Sequence, residues 1–374
     1  MIYLYSDVLY RAGGIETYLH ALALHLHQQG LPMQVVVAEL EPCPLLTDLQ
    51  EKGIPLYRQR RVWGDRWLIR QRVMMAWLVS QLQPGDWVYC VRQPAPSLYL
   101  PLVRWVHRRR AKLAASWMLA PEFLPPESPK FCQAVAETDA VISVSHCTVD
   151  QFKQVYGYTG QVQVVPYHNH LLFSQAVPLP AAPPWKIAFM GRLDIQQKNL
   201  DTLLRAFAAV SQSWPVELHL YGRGADQTRL EQMARELRIR DRILFHGAYD
   251  HRQDLPSIMA NCHFFVYPSR FEGGPCFTLL ELMQAGRFCV AANVGGIPDL
   301  YTDHPEAGLL VFPGDVEDLV RGLVTTLELM AKGKIDGNRV RDRYFNGFDM
   351  ASAHMAWKSV MLGENIPNSS GVQH

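Results

Sequence analysis

Short apolar runs alternate with helical stretches along this chain, and the alternation happens twice, with a proline-rich break between. In the first half, residues 2–5, 34–38, 87–91, 113–117, 140–144 and 162–165 have the length and apolar content of strands. Helical periodicity runs through residues 16–29, 67–82 and 97–110. Strands separated by helices need crossover connections, so this ordering predicts a parallel sheet covered by helices on both faces. The break is AVPLPAAPP at residues 176–184, with four prolines in nine positions. Proline fixes φ and removes an N–H donor, so the stretch reads as a linker. Strand-like runs then resume at 186–190, 216–221, 243–246, 263–267, 288–292 and 308–311, with helical patterns at 200–212, 226–237 and 316–331. A chain of 374 residues is long enough for two domains at roughly 100–200 residues each. Two doubly wound α/β domains are therefore expected.

Ligands of such domains bind outside the carboxyl ends of the strands, so the loops there hold the candidates. Gly13-Gly14 follows the first strand and precedes a helix. Glycines there let backbone N–H groups approach an anion at a helix N-terminus, and a plain tight turn is the structural alternative. The pair is not a GxGxxG fingerprint, which speaks against a nicotinamide enzyme. Gly191-Arg192 and Lys198 follow the first strand of the second half. A guanidinium and an ammonium at this spacing can neutralise a diphosphate, or can be two solvated charges beside Asp194. Tyr221-Gly222-Arg223-Gly224 is another strand-end turn, either a ligand contact or a helix cap. Residues 268–286 hold the richest set, PSRFEGGPCFTLLELMQAG. There Glu272 sits in a glycine-rich loop, and Thr278 to Glu281 has the Thr-x-x-Glu form of a capping box, which starts a helix at Thr278. A glycine loop running into a helix N-terminus suits an anion, and a carboxylate on each side can accept hydrogen bonds from sugar hydroxyls. Val294-Gly295-Gly296 is expected mainly to shape the helix that follows.

Taken together, these motifs resemble the retaining glycosyltransferases of family 4 (glycosyl transferases group 1), which have the GT-B fold. The resemblance is specific over residues 186–310, where GRLDIQQKNLDTLLRAF, LYGRGAD, ILFHGAY, FVYPSRFEGGP, LLELMQAGR and VGGIPDL occur in the family's order. It is weaker at GGIE and VISVS in the first half. It implies two Rossmann-like doubly wound domains facing each other across a cleft: residues 1–175 on the acceptor side, 185–345 on the donor side, and 346–374 as a C-terminal helix crossing back to the first domain, plus a tail. It also implies a transferase that moves a sugar, with retention, from a nucleotide-diphosphate sugar to a glycan or lipid-linked acceptor, in envelope or extracellular polysaccharide synthesis. The alternatives are a nucleotide-sugar epimerase or hydrolase of similar fold, and a catalytically weak pseudo-transferase.

By this resemblance Glu272, Arg192 and Lys198 are the catalytic candidates. Gly13, Gly14, Gly191, Gly222, Gly224, His246, Gly247, Tyr249, Gly273, Gly274, Pro275, Cys276 and Glu281 are the donor-binding ones. Arg192 and Lys198 would hold the diphosphate, Glu281 the ribose hydroxyls, and Glu272 would face the sugar. The base would lie near residues 245–249. The co-substrate is expected to be a UDP- or GDP-sugar, with no bound cofactor and no metal, the two cations supplying the positive charge. Three departures mark this sequence. Eight residues separate Glu272 from Glu281, where seven are usual. No histidine follows the middle strand of the first half, where Trp117 and Glu122 stand as acceptor-side candidates. Pro166-Tyr167-His168-Asn169 replaces the usual Pro-Asn-Gly.

Net charge is +1, but it is unevenly spread. Residues 51–112 carry thirteen Lys/Arg against three acidic residues, a net +10, interleaved with Trp63, Trp67, Trp77 and Trp105. Cations among interfacial aromatics suit an anionic membrane surface or an anionic lipid-diphosphate acceptor; a solvated helix face over buried tryptophans is the alternative. No nucleic-acid recognition motif is present. Seven cysteines, odd in number and without CxxC spacing, read as reduced thiols. Neither a signal peptide nor an apolar run of ~18 residues is visible. The expectation is a cytoplasmic protein, with a peripheral position on the inner face of the membrane suggested by the basic block.

Overall fold

The computed structural model describes residues 1–9, 14–39, 42–60, 67–92, 95–117, 128–160, 162–165, 171–250, 253–349 and, near the C-terminus, 353, 356, 357, 359 and 360. The chain forms two compact units, Met1–His170 with Met350–His374, and Leu171–Asp349.

The first unit is built on seven strands: β1 (Ile2–Leu9), β2 (Met33–Glu39), β3 (Leu56–Arg60), β4 (Trp87–Cys90), β5 (Lys112–Trp117), β6 (Ala140–Ser143) and β7 (Val162–Val164). Their order is β3-β2-β1-β4-β5-β6-β7, and every neighbouring pair is parallel. The central strands are buried on both sides: Val35, Val36 and Val37 of β2 are fully enclosed, as expected where helices cover both faces. β3 is absent from the sequence expectation for a physical reason. It is an edge strand pairing only with β2, and its residues LYRQR are mostly polar, with Leu56 to Gln59 half-buried. Three helices of eight residues each, Pro44–Glu51, Pro129–Ala136 and Val149–Tyr156, are also absent from it. Two turns are too short for periodicity to show, although Ser128-Pro129 is a start signal, with the Ser128 hydroxyl accepting from the Phe131 N–H.

The second unit has six parallel strands: β8 (Trp185–Met190), β9 (Val216–Tyr221), β10 (Ile243–Gly247), β11 (Phe264–Tyr267), β12 (Cys289–Ala292) and β13 (Gly308–Val311). The order β10-β9-β8-β11-β12-β13 runs outward from β8 in one direction and restarts at β11 in the other. The switch point therefore lies between β8 and β11, where open α/β sheets bind ligands.

The change of unit falls after His170, so the proline-rich stretch belongs to the second unit. Arg287, 1% exposed, straps its start. Its Nη1 donates to the Val177 carbonyl at 2.7 Å and Nη2 to that of Pro178 at 2.7 Å, while Nε holds Met259. The Val177 N–H donates to Ala285 O. Near the C-terminus, helix Gly337–Phe345 packs in the second unit. Trp357 is buried in the first, edge-on to Tyr89 with centroids 4.3 Å apart.

Candidate active site

The turns after β8, β9 and β10 are knitted by backbone. The Gly191 N–H donates to Tyr221 O at 2.9 Å, and the Gly222 N–H to Gly247 O at 2.7 Å. A Cβ on Gly222 would lie 1.8 Å from the Gly191 carbonyl oxygen, and Gly222 has φ +138°. Only glycine allows this approach. Gly224 is packed the same way against the Leu193 carbonyl. These glycines fix the floor from which Arg192 and Lys198 project.

Asp194 caps the short helix Ile195–Lys198, its Oδ1 accepting from the Gln197 N–H at 2.8 Å. Arg192 Nε lies 3.2 Å from Asp194 Oδ2, and Arg192 Nη2 donates to Gln197 Oε1 at 2.6 Å. The Arg192 side chain is 60% exposed, a guanidinium held at its stem and open at the surface. Asn199 then takes a left-handed conformation, φ +55°, and ends the helix. Its side chain donates to the Pro268 carbonyl and accepts from Arg270 Nε. This junction joins the β8 loop to the β11 loop and aims Lys198 across it.

Lys198 Nζ donates to Tyr267 Oη at 2.7 Å and to Glu272 Oε1. The Lys198 and Glu272 side chains are 10% and 9% exposed, so this is a nearly dry ion pair. Gln197 Nε2 reaches the other Glu272 oxygen at 3.5 Å. Glu272 is held from behind by the 294–296 turn: a Cβ on Gly295, φ +53°, would lie 2.0 Å from the Glu272 carbonyl oxygen, and the Gly296 N–H donates to Gly273 O. Gly295 and Gly296 thus clamp the Glu272 loop as well as preceding a helix. Eight residues between the glutamates are accommodated with Glu272 beside Lys198.

The following helix is Phe277–Gln284, with Cys276 at its N-cap and no side-chain cap bond. It starts one residue earlier than the capping-box reading places it. Thr278 is already inside the helix, so Glu281 is not its capping partner. Glu281 is instead buried on this helix at 6% exposure. The Tyr249 phenol is pushed up by burial and by the Glu281 carboxylate, while a hydrogen bond with the Thr278 side chain works the other way. The Tyr249 hydroxyl therefore reaches the Thr278 side chain, with the Glu281 carboxylate near enough to act on it through charge. Gly274 and Pro275 are buried, and Gly273 is half-buried. Burial, with the Glu272 carboxylate, pushes the Cys276 thiol up to about 11, so it is a protonated packing group at neutral pH. His246 is exposed, its ring stacked on Tyr221 at 4.1 Å and 6°.

In the first unit, Gly14 begins the helix Gly14–Gln28 and is exposed. Trp117 is 3% exposed, packed 4.6 Å from both the Phe152 and Tyr156 rings. The structure places it in the core. Gly13 and Glu122 lie outside the described residues. Among the described residues no group of three or more His, Cys, Asp or Glu side chains could hold a metal ion, and no helix is long and apolar enough to cross a membrane.

Sequence reasoning does not single out Gln197, Asn199 or Tyr267, and it gives Gly295 only the shaping of the next helix. Asp194 with Gln197 has the Asp-x-x-Gln form of a capping box, a signal that could have found the helix aiming Lys198. Tyr267 reads only as the last apolar residue of a strand.

Residues 184–328 match the glycosyl transferases group 1 family. The glycogen synthase of Mycobacterium tuberculosis is 24% identical over 307 residues, 78% of this chain and 72% of that protein. The fold is similar to that of the lipopolysaccharide outer core galactosyltransferase WaaB in its apo form, with TM-score 0.76, 18% identity, and 97% and 99% of the two chains covered. It is also similar to Anabaena HepE in complex with UDP, with TM-score 0.74, 20% identity, and 97% and 100% covered. This chain is a GT-B-fold glycosyltransferase related to family 4.

Proposed function

We propose that this enzyme transfers a sugar with retention from a UDP- or GDP-sugar to a glycan or lipid-linked acceptor in envelope or extracellular polysaccharide synthesis. The observation that carries the site assignment is the cluster of Lys198, Tyr267 and Glu272, with Arg192 beside it, at the switch point between β8 and β11. Two cations at strand ends suit a diphosphate. As the sugar leaves, charge grows on the phosphate oxygens, and preorganised cations stabilise that charge in the transition state more than in the ground state. Glu272 would turn from Lys198 towards the sugar once phosphate takes its place. Glu281 would accept hydrogen bonds from the ribose, with Tyr249 nearby. UDP bound in HepE and the lipopolysaccharide role of WaaB support the choice of donor and pathway.

The basic region of the first unit supports a peripheral membrane position. Helix Trp67–Gln81 exposes Ile69 (53%) and Val73 (51%) one turn apart, with exposed Arg72 between them. An anionic inner-leaflet surface or lipid-diphosphate acceptor fits that face.

The deciding experiment is a thermal-shift screen against UDP-, GDP-, ADP- and dTDP-sugars. A donor at ~100 times its Kd stabilises by about 2.7 kcal/mol. Arg192→Ala is expected to abolish the shift and lower turnover while the ligand-free melting temperature stays put. A shift without transfer to any acceptor would point to a pseudo-transferase, and sugar release without acceptor to a hydrolase.

A further inference from the structure

One hydrogen-bonded chain in the second unit lies outside the cluster at the switch point. Glu217, His219 and Tyr221 alternate along β9, and so share one face of the sheet. Glu217 Oε2 is 3.3 Å from His219 Nε2. His219 Nδ1 is 3.0 Å from His246 Nε2 on β10. His219 is 3% exposed, whereas His246 is exposed and lies flat on Tyr221. Tyr221 is itself fixed from the other end: Asn261 Nδ2 reaches its hydroxyl at 3.5 Å, and Lys186 Nζ holds Asn261 Oδ1 at 2.8 Å. The His246 ring is thus set in plane by Tyr221 and in rotation by His219. Its remaining nitrogen, Nδ1, makes no hydrogen bond to any described residue.

The chain also has a direction. A carboxylate only accepts, so His219 Nε2 carries the proton that faces Glu217. Burial holds the His219 imidazole below its usual value, and burial does the same to His246, so both rings are neutral near pH 7. His219 Nδ1 is then bare and accepts, which requires the proton of His246 to sit on Nε2. His246 Nδ1 is left as an acceptor. One strand end away, Gly247 O holds the Gly222 N–H, which packs on the Gly191 turn that bears Arg192. Two residues beyond Gly247, Tyr249 bonds the Thr278 side chain on the helix that carries Glu281, whose charge reaches it.

We propose that Glu217 and His219 are positioning residues that hold His246 with Nδ1 as a hydrogen-bond acceptor for an N–H of the donor's nucleobase. The inference rests on the donor-site reading above and adds what selects the base. A base turning a ring N–H to the strand end, as uracil and guanine can, satisfies Nδ1; ribose and phosphates do not engage it.

The test is calorimetric binding of UDP, GDP and ribose 5-diphosphate to the full chain and its variants. His246→Ala is expected to weaken the preferred nucleotide about tenfold, the worth of one hydrogen bond with its stacking, and to leave ribose 5-diphosphate unchanged. Glu217→Ala, which leaves His246 in place, is expected to weaken the nucleotide about threefold. Glu217→Gln keeps an acceptor oxygen and is expected to restore wild-type binding. Long-range proton–nitrogen NMR is expected to find His246 protonated at Nε2 in wild type and Glu217→Gln, and partly at Nδ1 in Glu217→Ala. Equal losses for nucleotide and ribose 5-diphosphate, no loss in His246→Ala, or a proton on Nδ1 in wild type would overturn the proposal while the donor reading stands. Failure of wild type to bind either nucleotide, or ribose 5-diphosphate, removes both.

Discussion

Lys198 and Glu272 neutralise each other in a setting where neither meets much water. Taking one away strands the other. Lys198→Met is expected to cost about 3 kcal/mol of unfolding free energy, because a buried carboxylate is left unpaired, and Lys198→Met with Glu272→Leu is expected to recover most of it. Denaturant titration of the three proteins checks this; a single variant as stable as wild type would mean the pair is solvated in solution. His263 offers a pH counterpart. Its Nδ1 accepts from the Lys186 N–H at 2.9 Å, and burial, helped by the Arg287 and Lys186 charges, lowers its imidazole to about 4. The unfolded chain binds that proton near 6.5, so this part of the stability is complete above 6.5 and is lost as pH falls from 6.5 towards 4. His263→Asn, which keeps an acceptor, is expected to show a shallower fall over that window in denaturant midpoints. A fall parallel to wild type would assign the loss to other groups. At this scale Arg192, Lys198, Glu272 and Glu281 could be named from their places after strands. Their pairings could not. That Lys198 chooses Glu272 and Tyr267, 74 and 69 residues away, depends on β8 and β11 being neighbours.

The elements that position these side chains differ in how far sequence exposes them. Strands β11 and β12 of the second unit are apolar runs buried on both faces, and their signal is local. The turn at Gly295 is not local: its glycine is required because the Glu272 carbonyl passes 2.0 Å from where a Cβ would be. Gly295→Ala is expected to displace the Glu272 loop, with turnover down at least tenfold and stability lower by ~2 kcal/mol or more. Activity and melting measured together check it; wild-type turnover would show that Glu272 does not depend on this clamp. The capping-box pattern at Thr278 fails for a related reason. Helix Phe277–Gln284 is started by a loop pinned from outside, so its first residue answers to the neighbouring turn rather than to its own cap. The proline-rich segment is legible as irregular chain. The Arg287 strap that fixes it comes from more than a hundred residues away.

For the whole molecule, the uneven charge distribution makes its own prediction. Co-sedimentation with vesicles of anionic phospholipid is expected at low salt and to weaken as the Debye length falls from ~10 Å at 0.1 M to ~3 Å at 1 M. Replacing exposed Ile69 and Val73 by Ser is expected to weaken the salt-resistant part. Binding absent at low salt would remove the membrane position and leave the basic face as solvated surface. The sequence by itself determined the two doubly wound units, their parallel strands and the loops that carry charge, because burial periodicity, crossover length and strand-end glycines are all local properties of the chain. Tertiary structure alone decided which charges meet, where the first unit ends, why Gly222 and Gly295 must lack a side chain, and that Glu217 and His219 stand behind His246. Those are contacts between segments far apart in sequence, and strand order brings such segments together without marking either one.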